Sequence, residues 1–134
     1  MIYIHIPFCL RKCLYCDFYS VTDESLKDEY VKRLIDEIKS YKGFASDTVY
    51  IGGGTPSALG ERLFSVIDAV NENFLLSEDC EFTVEVNPGT VTQEFFFGLR
   101  KRGVNRISMG AQSFRDNELK ALGRIHTSKE ILFC

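Results

Sequence analysis

The stretch Asp47-Thr-Val-Tyr-Ile-Gly-Gly-Gly-Thr-Pro-Ser57 decides the fold class, because an apolar strand in it runs directly into a glycine loop. The strand is predicted at Asp47–Ile51. A helix is expected to begin near Ser57, because apolar residues then recur at helical spacing at Leu63, Val66, Ile67, Val70 and Phe74. A strand, a short loop and a helix form the repeating unit of α/β proteins with parallel sheets.

The same alternation continues on both sides of this unit. Further strands are predicted at Met1–Ile6, Glu81–Val86 and Val104–Met109. Further helices are predicted at Ser25–Lys42, Thr92–Gly103 and Phe114–Leu122. Ser25 with Asp28 resembles a capping box, and Thr92 is expected to cap the next helix. About four parallel strands with helices between them follow, in an open sheet or a barrel.

The unusual segments of the chain all follow predicted strands. They are the cysteine loop after Ile6, the triple glycine Gly52–Gly54, the turn Glu85–Gly89 and the segment Gly110–Gln112. In parallel α/β architectures the working residues lie beyond the carboxyl ends of the strands. We therefore expect these four strand ends to converge on one functional rim.

The composition is that of a globular protein and disfavours several classes of function. The chain has 134 residues, 45% hydrophobic and 26% charged, with a net charge of −3. Nucleic-acid binding is not expected without a basic stripe, and Arg100-Lys101-Arg102 is interpreted as a solvated helix end. No window approaches the roughly 20 apolar residues of a membrane span. No export signal is recognised either, so a cytoplasmic location is expected.

Three of the five cysteines lie within eight residues, in His5-Ile-Pro-Phe-Cys-Leu-Arg-Lys-Cys-Leu-Tyr-Cys16. They are Cys9, Cys13 and Cys16. In a reducing compartment they are thiols or metal ligands rather than a disulfide framework. Three thiolates on a [4Fe–4S] cluster would leave one iron open for chemistry. The alternative is a zinc site that borrows Cys80, His5 or a partner's ligand, although Cys80 is more simply interpreted as a small core residue.

The spacing Cys9-x3-Cys13-x2-Cys16, with Tyr15 before the third cysteine, resembles the signature of radical S-adenosylmethionine (SAM) proteins. Other stretches resemble the oxygen-independent coproporphyrinogen III oxidase-like subfamily: His5–Cys9, Tyr15–Tyr19, Gly52–Ser57, Glu85–Gly89, Arg106–Phe114 and Leu122–His126. The resemblance implies the N-terminal part of a partial (β/α)6 TIM-type barrel. It also implies a [4Fe–4S] cluster on the three cysteines, with SAM chelated at the open iron and its sulfonium cleaved reductively.

The resemblance further implies which residues contact the cofactor. Gly53 and Gly54 would lie at the amino group of SAM, Gln112 at its ribose and Arg124 at its carboxylate. The full set implied as cofactor-binding is Tyr3, Tyr15, Phe18, Gly53, Gly54, Thr55, Glu85, Gln112 and Arg124. Tyr3 and His5 either line the site or are ordinary strand residues.

Two of these positions also have reasons in the residues themselves. Three glycines let backbone approach a ligand closely, and the following helix would turn free N–H groups toward it. A phosphate-binding P-loop is not supported, because no Gly-Lys-Ser/Thr ending follows. Glu85 alternates with Phe82, Val84 and Val86, so it is expected to face the barrel interior or, alternatively, solvent.

One departure from the subfamily bears on function. Its true oxidases carry a further cysteine two residues after the third, where this chain has Phe18. That difference favours the sister group, the haem chaperones called HemW, which bind haem and pass it to haem-dependent proteins. An oxidase of porphyrin biosynthesis acting on a porphyrinogen and a non-enzymatic metal- or haem-binding module are the alternatives, so enzymatic activity stays open.

The chain contains fewer strands than the resemblance implies. We therefore expect residues 1–134 to be a radical SAM core without its later strands and C-terminal region. The fourth strand would then have an unpaired edge open to association, including a homodimer. Such a chain is expected to assemble the cluster but to bind SAM weakly and to turn over little.

Overall fold

The computed structural model describes residues 1–133, which contain four strands and five α-helices. The strands are β1 (Ile2–Ile6), β2 (Ala45–Gly53), β3 (Leu75–Val86) and β4 (Arg106–Met109). The helices are α1 (Lys27–Ser40), α2 (Arg62–Asn73), α3 (Gln93–Lys101), α4 (Asp116–Ala121) and α5 (Ser128–Phe133). Strand and helix therefore alternate as predicted.

The four strands form one parallel sheet in the order β1-β2-β3-β4. In its register Ile51 lies opposite Ile4 on one side and Val84 on the other, and Val84 lies opposite Ile107. The predicted α/β class with parallel strands is confirmed. Because all strands run the same way, their carboxyl ends meet at one edge of the sheet.

One face of the sheet packs against helices and forms the core. Val49, Ile51, Phe82 and Val84 lie on this face and are at most 2% exposed. The α2 residues that meet them are fully buried: Leu63, Val66, Ile67 and Val70. Each such side chain contributes about 1.5–3 kcal/mol when it leaves water, so this layer supplies most of the stability.

The opposite face of the sheet carries polar and aromatic side chains. The Tyr3 and Tyr50 rings stack at 6.1 Å between centroids, and the Tyr3 hydroxyl lies 3.0 Å from His5 Nδ1. The Tyr50 hydroxyl donates to Glu85. The alternation predicted for Glu85 is therefore confirmed: it lies on the other face from Phe82 and Val84.

The start of α1 differs from the prediction. The capping box of Ser25 and Asp28 is wrong, because Ser25 bonds instead to Asp23 and Asp28 pairs with Arg62 of α2. The helix begins at Lys27, whose buried ammonium donates to Glu24 and to the Ala58 carbonyl oxygen, both at 2.7 Å. A contact between elements therefore replaces the local cap.

The second helix begins later than predicted. Ser57 lies in a 3-10 turn, Pro56–Leu59, and α2 starts only at Arg62. Gly60 separates the two with φ of +60°, a left-handed conformation that glycine adopts without steric cost. The cap predicted at Thr92 is confirmed, since its side chain accepts from the Phe95 N–H at 3.2 Å.

Two further interpretations change in the structure. Arg100 and Lys101 are exposed in the last turn of α3 as expected, but Arg102 is partly buried: it donates to Asp68 at 2.9 Å and lies 4.4 Å over the Phe64 ring. Cys80 is a buried core residue as predicted, but β3 starts at Leu75, so Cys80 lies inside the strand rather than at its start. Within residues 1–133, no helix is long and apolar enough to cross a membrane.

Candidate metal centre

A cavity of about 430 Å³ lies beyond the carboxyl ends of the four strands. The segments after all four strands line it, so the predicted convergence of strand ends is confirmed. It brings together eleven of the twelve site residues predicted from the sequence: Cys9, Cys13, Tyr15, Cys16, Phe18, Gly53, Gly54, Thr55, Glu85, Gln112 and Arg124.

The two ends of the cysteine loop are bonded to each other just beyond the end of β1. Cys9 N donates to Val21 O at 2.9 Å, and Val21 N returns a bond to Pro7 O at 2.7 Å. Inside the loop, Cys16 N donates to Cys13 O at 3.1 Å, which forms a tight turn. The three thiols are free and partly exposed, so they face the cavity and not the core.

The glycine loop packs directly against the cysteine loop. A Cβ on Gly54 would lie 2.9 Å from Phe8 O and 3.0 Å from Cys9 Sγ, which no side chain tolerates without a shift. Gly53 has φ of +116°, and a Cβ there would lie 2.8 Å from the His5 ring. Thr55 completes the contact with its hydroxyl 3.5 Å from Cys9 Sγ.

The backbone N–H groups of Gly53, Gly54 and Thr55 already have hydrogen-bond partners within the protein. Gly54 N donates to Ile6 O and Thr55 N to Phe8 O, both at 2.8 Å. Gly53 N donates to the Glu85 carboxylate at 3.1 Å. The glycines therefore serve first to bring β2 close to the chain that follows β1.

Glu85 links two neighbouring strands at the base of the cavity. Its carboxylate accepts from the Tyr50 hydroxyl at 2.5 Å and from Gly53 N at 3.1 Å. That hydrogen bond, together with burial, raises the pKa of Tyr50. A partly buried carboxylate satisfied in this way tolerates its position without a ligand.

Arg124 reaches across the cavity from the segment before α5. Its Nη2 donates to Gly110 O at 2.6 Å, while Nη1 lies 3.4 Å from Cys13 Sγ and 3.3 Å from the Tyr15 hydroxyl. Its Nε is buried and has no hydrogen-bond partner. Burial raises the pKa of Tyr15, and the nearby guanidinium partly offsets that effect.

Gln112 lies in the loop after β4, in a strained backbone conformation. Its φ of +66° is uncommon for a residue with a side chain and marks a constrained position. A Cβ on Gly110 would lie 3.2 Å from Gln112 Nε2 and 3.4 Å from Arg124 Nη2. Glycine at that position therefore lets both side chains approach the rim.

Tyr3 is the predicted site residue that the structure does not bring to this cavity. Its side chain is 53% exposed and lines a separate groove along β1 and α1. Tyr3 is the second residue of β1, and its hydroxyl lies 3.0 Å from His5 Nδ1. The cofactor contact that the resemblance implies for Tyr3 stays a prediction.

Several residues at the cavity were not predicted. Arg11 and Lys12 lie in the cysteine loop, Asn87 follows β3, and Ser108 is the last residue but one of β4. His126 is buried behind the rim at 3% exposure, with Nδ1 3.0 Å from Asn87 Oδ1. A polar residue one position past a strand was the available signal for Asn87, whereas nothing local marked His126.

The described part of the chain contains no three His, Cys, Asp or Glu side chains arranged around a single metal ion. On a [4Fe–4S] cluster each thiolate binds a different iron, so its ligands need not converge on one point. The metal ligands Cys9, Cys13 and Cys16 therefore stay a prediction.

Comparison with known proteins identifies the family. The family model of the radical SAM superfamily matches residues 3–133. The chain belongs to the radical SAM superfamily. A solved structure with a similar fold is described as "Coproporphyrinogen III oxidase (HemN) from Escherichia coli is a Radical SAM enzyme". The fold of this chain matches the N-terminal part of that protein's barrel. That structure superposes with a TM-score of 0.87 at 30% identity, covering 97% of this chain and 32% of the other.

Among radical SAM proteins, the curated relatives of this chain include haem chaperones. The chain is 43% identical over 136 residues to haem chaperone HemW of Escherichia coli, covering 96% of this chain and 36% of that protein. It is 43% identical over 132 residues to HemW of Lactococcus lactis, covering 96% and 35%. The chain thus spans about a third of the length of these relatives.

Proposed function

We propose that this chain carries the cluster- and SAM-binding part of a HemW-like haem chaperone. The observation that carries the proposal is the cavity at the ends of four parallel strands, which gathers three free cysteines with a glycine loop, a carboxylate and a guanidinium. The similarity to HemW proteins over nearly all of this chain supports the same function.

The residues present fit a [4Fe–4S] cluster held by Cys9, Cys13 and Cys16. The three thiols share one short loop and face one cavity, and a fourth cysteine, Cys80, is buried elsewhere in the core. Gly54 leaves room beside Cys9 where any side chain would collide with the sulfur. Phe18, at the position of the oxidases' further cysteine, adds no thiolate.

The rim also fits a zwitterionic cofactor such as SAM. The buried Nε of Arg124 has no partner, and a guanidinium suits a carboxylate. Glu85 and the backbone of Gly53 and Gly54 offer a negative and a polar surface for an ammonium group. Tyr15 and Gln112 line the same cavity and would be available to contact the nucleoside. When bound to a reduced cluster, SAM would supply one-electron cleavage of its sulfonium.

These residues would position the cofactor rather than transfer protons. Arg124, anchored on Gly110 O, would orient the carboxylate. Glu85, held by Tyr50, would present its carboxylate at the base of the cavity. Leu14 and Phe18, which are 79% and 67% exposed, would shield the cluster from water only when a further surface covers them.

Metal analysis after oxygen-free reconstitution tests the cluster. We expect about four irons and about four sulfides per chain with broad brown absorbance. Stoichiometric zinc without iron would contradict the proposal and favour a zinc module. A fourth protein ligand on the cluster, detected by spectroscopy, would also contradict it, because no iron would remain open for SAM.

The haem chaperone proposal competes with the oxidase, which the structural similarity to HemN favours. The two differ in what happens to a tetrapyrrole. The test uses a full-length relative, because this chain alone is expected to turn over little. A chaperone is expected to bind haem stoichiometrically, seen by its Soret absorption, and to leave coproporphyrinogen III unchanged in the presence of SAM and a reductant. Decarboxylated porphyrinogen products would instead support the oxidase.

A further inference from the structure

Residues 122–126, called here the clasp segment, contact the middle of the cysteine loop. Leu122 O accepts from Leu14 N at 3.3 Å. Gly123 has φ of +74°, and a Cβ on it would lie 3.2 Å from Leu14 Cγ. Arg124 then approaches Cys13 and Tyr15. The clasp segment therefore touches three consecutive residues of the loop, Cys13, Leu14 and Tyr15.

The other end of the clasp segment is anchored by His126. Its ring is 3% exposed, with Nδ1 3.0 Å from Asn87 Oδ1 and Nε2 3.2 Å from Ala111 O. Asn87 follows β3 and Ala111 follows β4, so this one ring joins the ends of two neighbouring strands. An exposed histidine could not hold them in this way, because water would compete for both bonds.

The hydrogen-bond roles of His126 follow from its neighbours. A carbonyl oxygen only accepts, so Nε2 carries the hydrogen that bonds to Ala111. Burial lowers the pKa of His126, so the neutral ring prevails at neutral pH. Nδ1 then accepts from the Asn87 amide when that amide turns its nitrogen toward the ring.

Asn87 extends this network to the loop after β2. Its backbone N–H donates to Ser57 Oγ at 3.2 Å, and its carbonyl oxygen accepts from Thr90 Oγ1 at 2.7 Å. The Ser57 and Thr90 hydroxyls are themselves 2.5 Å apart. A continuous set of hydrogen bonds thus joins the ends of β2, β3 and β4 behind the cavity and reaches the clasp segment through His126.

We propose that His126 is a positioning residue: by tying the clasp segment to Asn87 and Ala111, it holds Leu122 and Arg124 against the cysteine loop. Its ring bonds to no cysteine and does not itself line the cavity, so it acts through the residues that it holds in place. The contacts of His126 do not depend on the proposed function. Their expected consequence, that the cluster is retained, does rest on the proposed function.

Hydrogen exchange in the reduced, metal-free protein tests the contacts directly. His126→Leu removes both ring bonds and is expected to speed exchange of the Leu14 amide by about tenfold, the upper end of what the loss of one hydrogen bond costs. His126→Gln places an amide nitrogen near the Nε2 position and should restore much of the protection through Ala111. Unchanged Leu14 exchange in His126→Leu would overturn the proposal.

A matched variant separates positioning from general destabilisation. Leu99→Ala removes a side chain that is 1% exposed in α3, away from the cavity, and lowers the stability of the whole fold. It should accelerate exchange in the core strands without a selective effect on Leu14. If His126→Leu and Leu99→Ala give the same exchange pattern, His126 is merely structural. If His126→Leu does not fold, Asn87→Ala removes the bond between Asn87 and the His126 ring instead. Faster exchange of the Leu14 amide in this variant is then expected, and unchanged exchange would overturn the proposal.

A separate measurement tests whether these contacts help to retain the cluster. In reconstituted protein, iron loss to a chelator is expected to be about tenfold faster in His126→Leu than in the unmodified chain, with recovery in His126→Gln. If the unmodified chain binds no iron, the proposed function fails while the exchange result still decides the role of His126. If iron binds but its loss is the same in all variants, the clasp does not support the cluster.

Discussion

Within residues 1–133, cysteine occurs in two regions that show opposite uses of the same side chain. Cys80 lies inside β3, 8% exposed among apolar neighbours, and burial raises the pKa of its thiol. Cys9, Cys13 and Cys16 lie on a loop beyond a strand end, partly exposed to a shared cavity. A buried thiol behaves as a small apolar residue, whereas grouped, accessible thiols are available as metal ligands.

The comparison extends from the cysteines to the regions around them. Around Cys80 the sheet and helices form an apolar layer in which shape decides stability. Around Cys9 the rim consists of loops joined by hydrogen bonds, from Gly54 N to Ile6 O and from Gly53 N to Glu85. Changes in the core should therefore alter stability, and changes at the rim should alter cofactor binding.

The largest expected effect separates the two kinds of cysteine by iron content. Cys13→Ser should reduce iron in the reconstituted protein from about four per chain to near zero, because serine is a poor ligand for iron–sulfur clusters. Cys80→Ala, the matched control, should retain full iron. Iron and sulfide analysis measures both. If Cys13→Ser and Cys80→Ala lose iron equally, the loop cysteines and the core cysteine do not differ in their role.

A core truncation should give the largest loss of stability. Phe82→Ala removes a ring that is 2% exposed and is expected to lower the free energy of unfolding by about 3–5 kcal/mol. Urea denaturation of the metal-free protein measures it. Iron uptake by Phe82→Ala should remain proportional to the fraction of the protein that is folded. A stability loss below about 1 kcal/mol would mean that the core is not packed as described.

A hydrogen bond at the rim should matter less for stability. Tyr50→Phe removes the bond to Glu85 and is expected to cost about 1 kcal/mol in unfolding free energy. It should also weaken SAM binding, measured by calorimetry, because the Glu85 carboxylate loses one of its two supports. Tyr41→Phe, at a side chain that is 59% exposed, is the control and should change neither quantity.

The smallest expected effect is a pH dependence from His126. Burial is the main cause that lowers its pKa, so below the ordinary imidazole value of about 6.5 the unfolded chain binds a proton that the folded chain does not. Stability should therefore fall as pH drops through about 6.5. His126→Gln should show a flatter profile over the same range in denaturation measured at several pH values. Parallel profiles would show that another group titrates.

Much of the fold followed from local patterns in the sequence. The strand at β2, the glycine loop after it and the apolar face of α2 were readable because burial on one side imposes a period on the residues. Element ends were less readable. The α1 start depends on Lys27 contacting Ala58 and on Asp28 pairing with Arg62, and both partners lie more than thirty residues away.

For the candidate site, sequence and structure contribute different parts. The cysteine spacing, the triple glycine and the polar strand ends pointed to the rim because each lies within one short segment. Tyr3 lines a neighbouring groove, and the SAM contact implied for it stays a prediction. His126 was missed because its partners, Asn87 and Ala111, come from two other strand ends.

By itself the sequence determined the α/β class, the four strand ends and the trio of thiols, since hydrophobic period and motif spacing are local properties of the chain. The tertiary structure decided which backbone groups of the glycine loop are already bonded, that Arg124 reaches Cys13, and that one buried imidazole joins two loops. Those facts depend on distances between segments far apart in the chain, and only packing of the sheet brings such segments within hydrogen-bonding range.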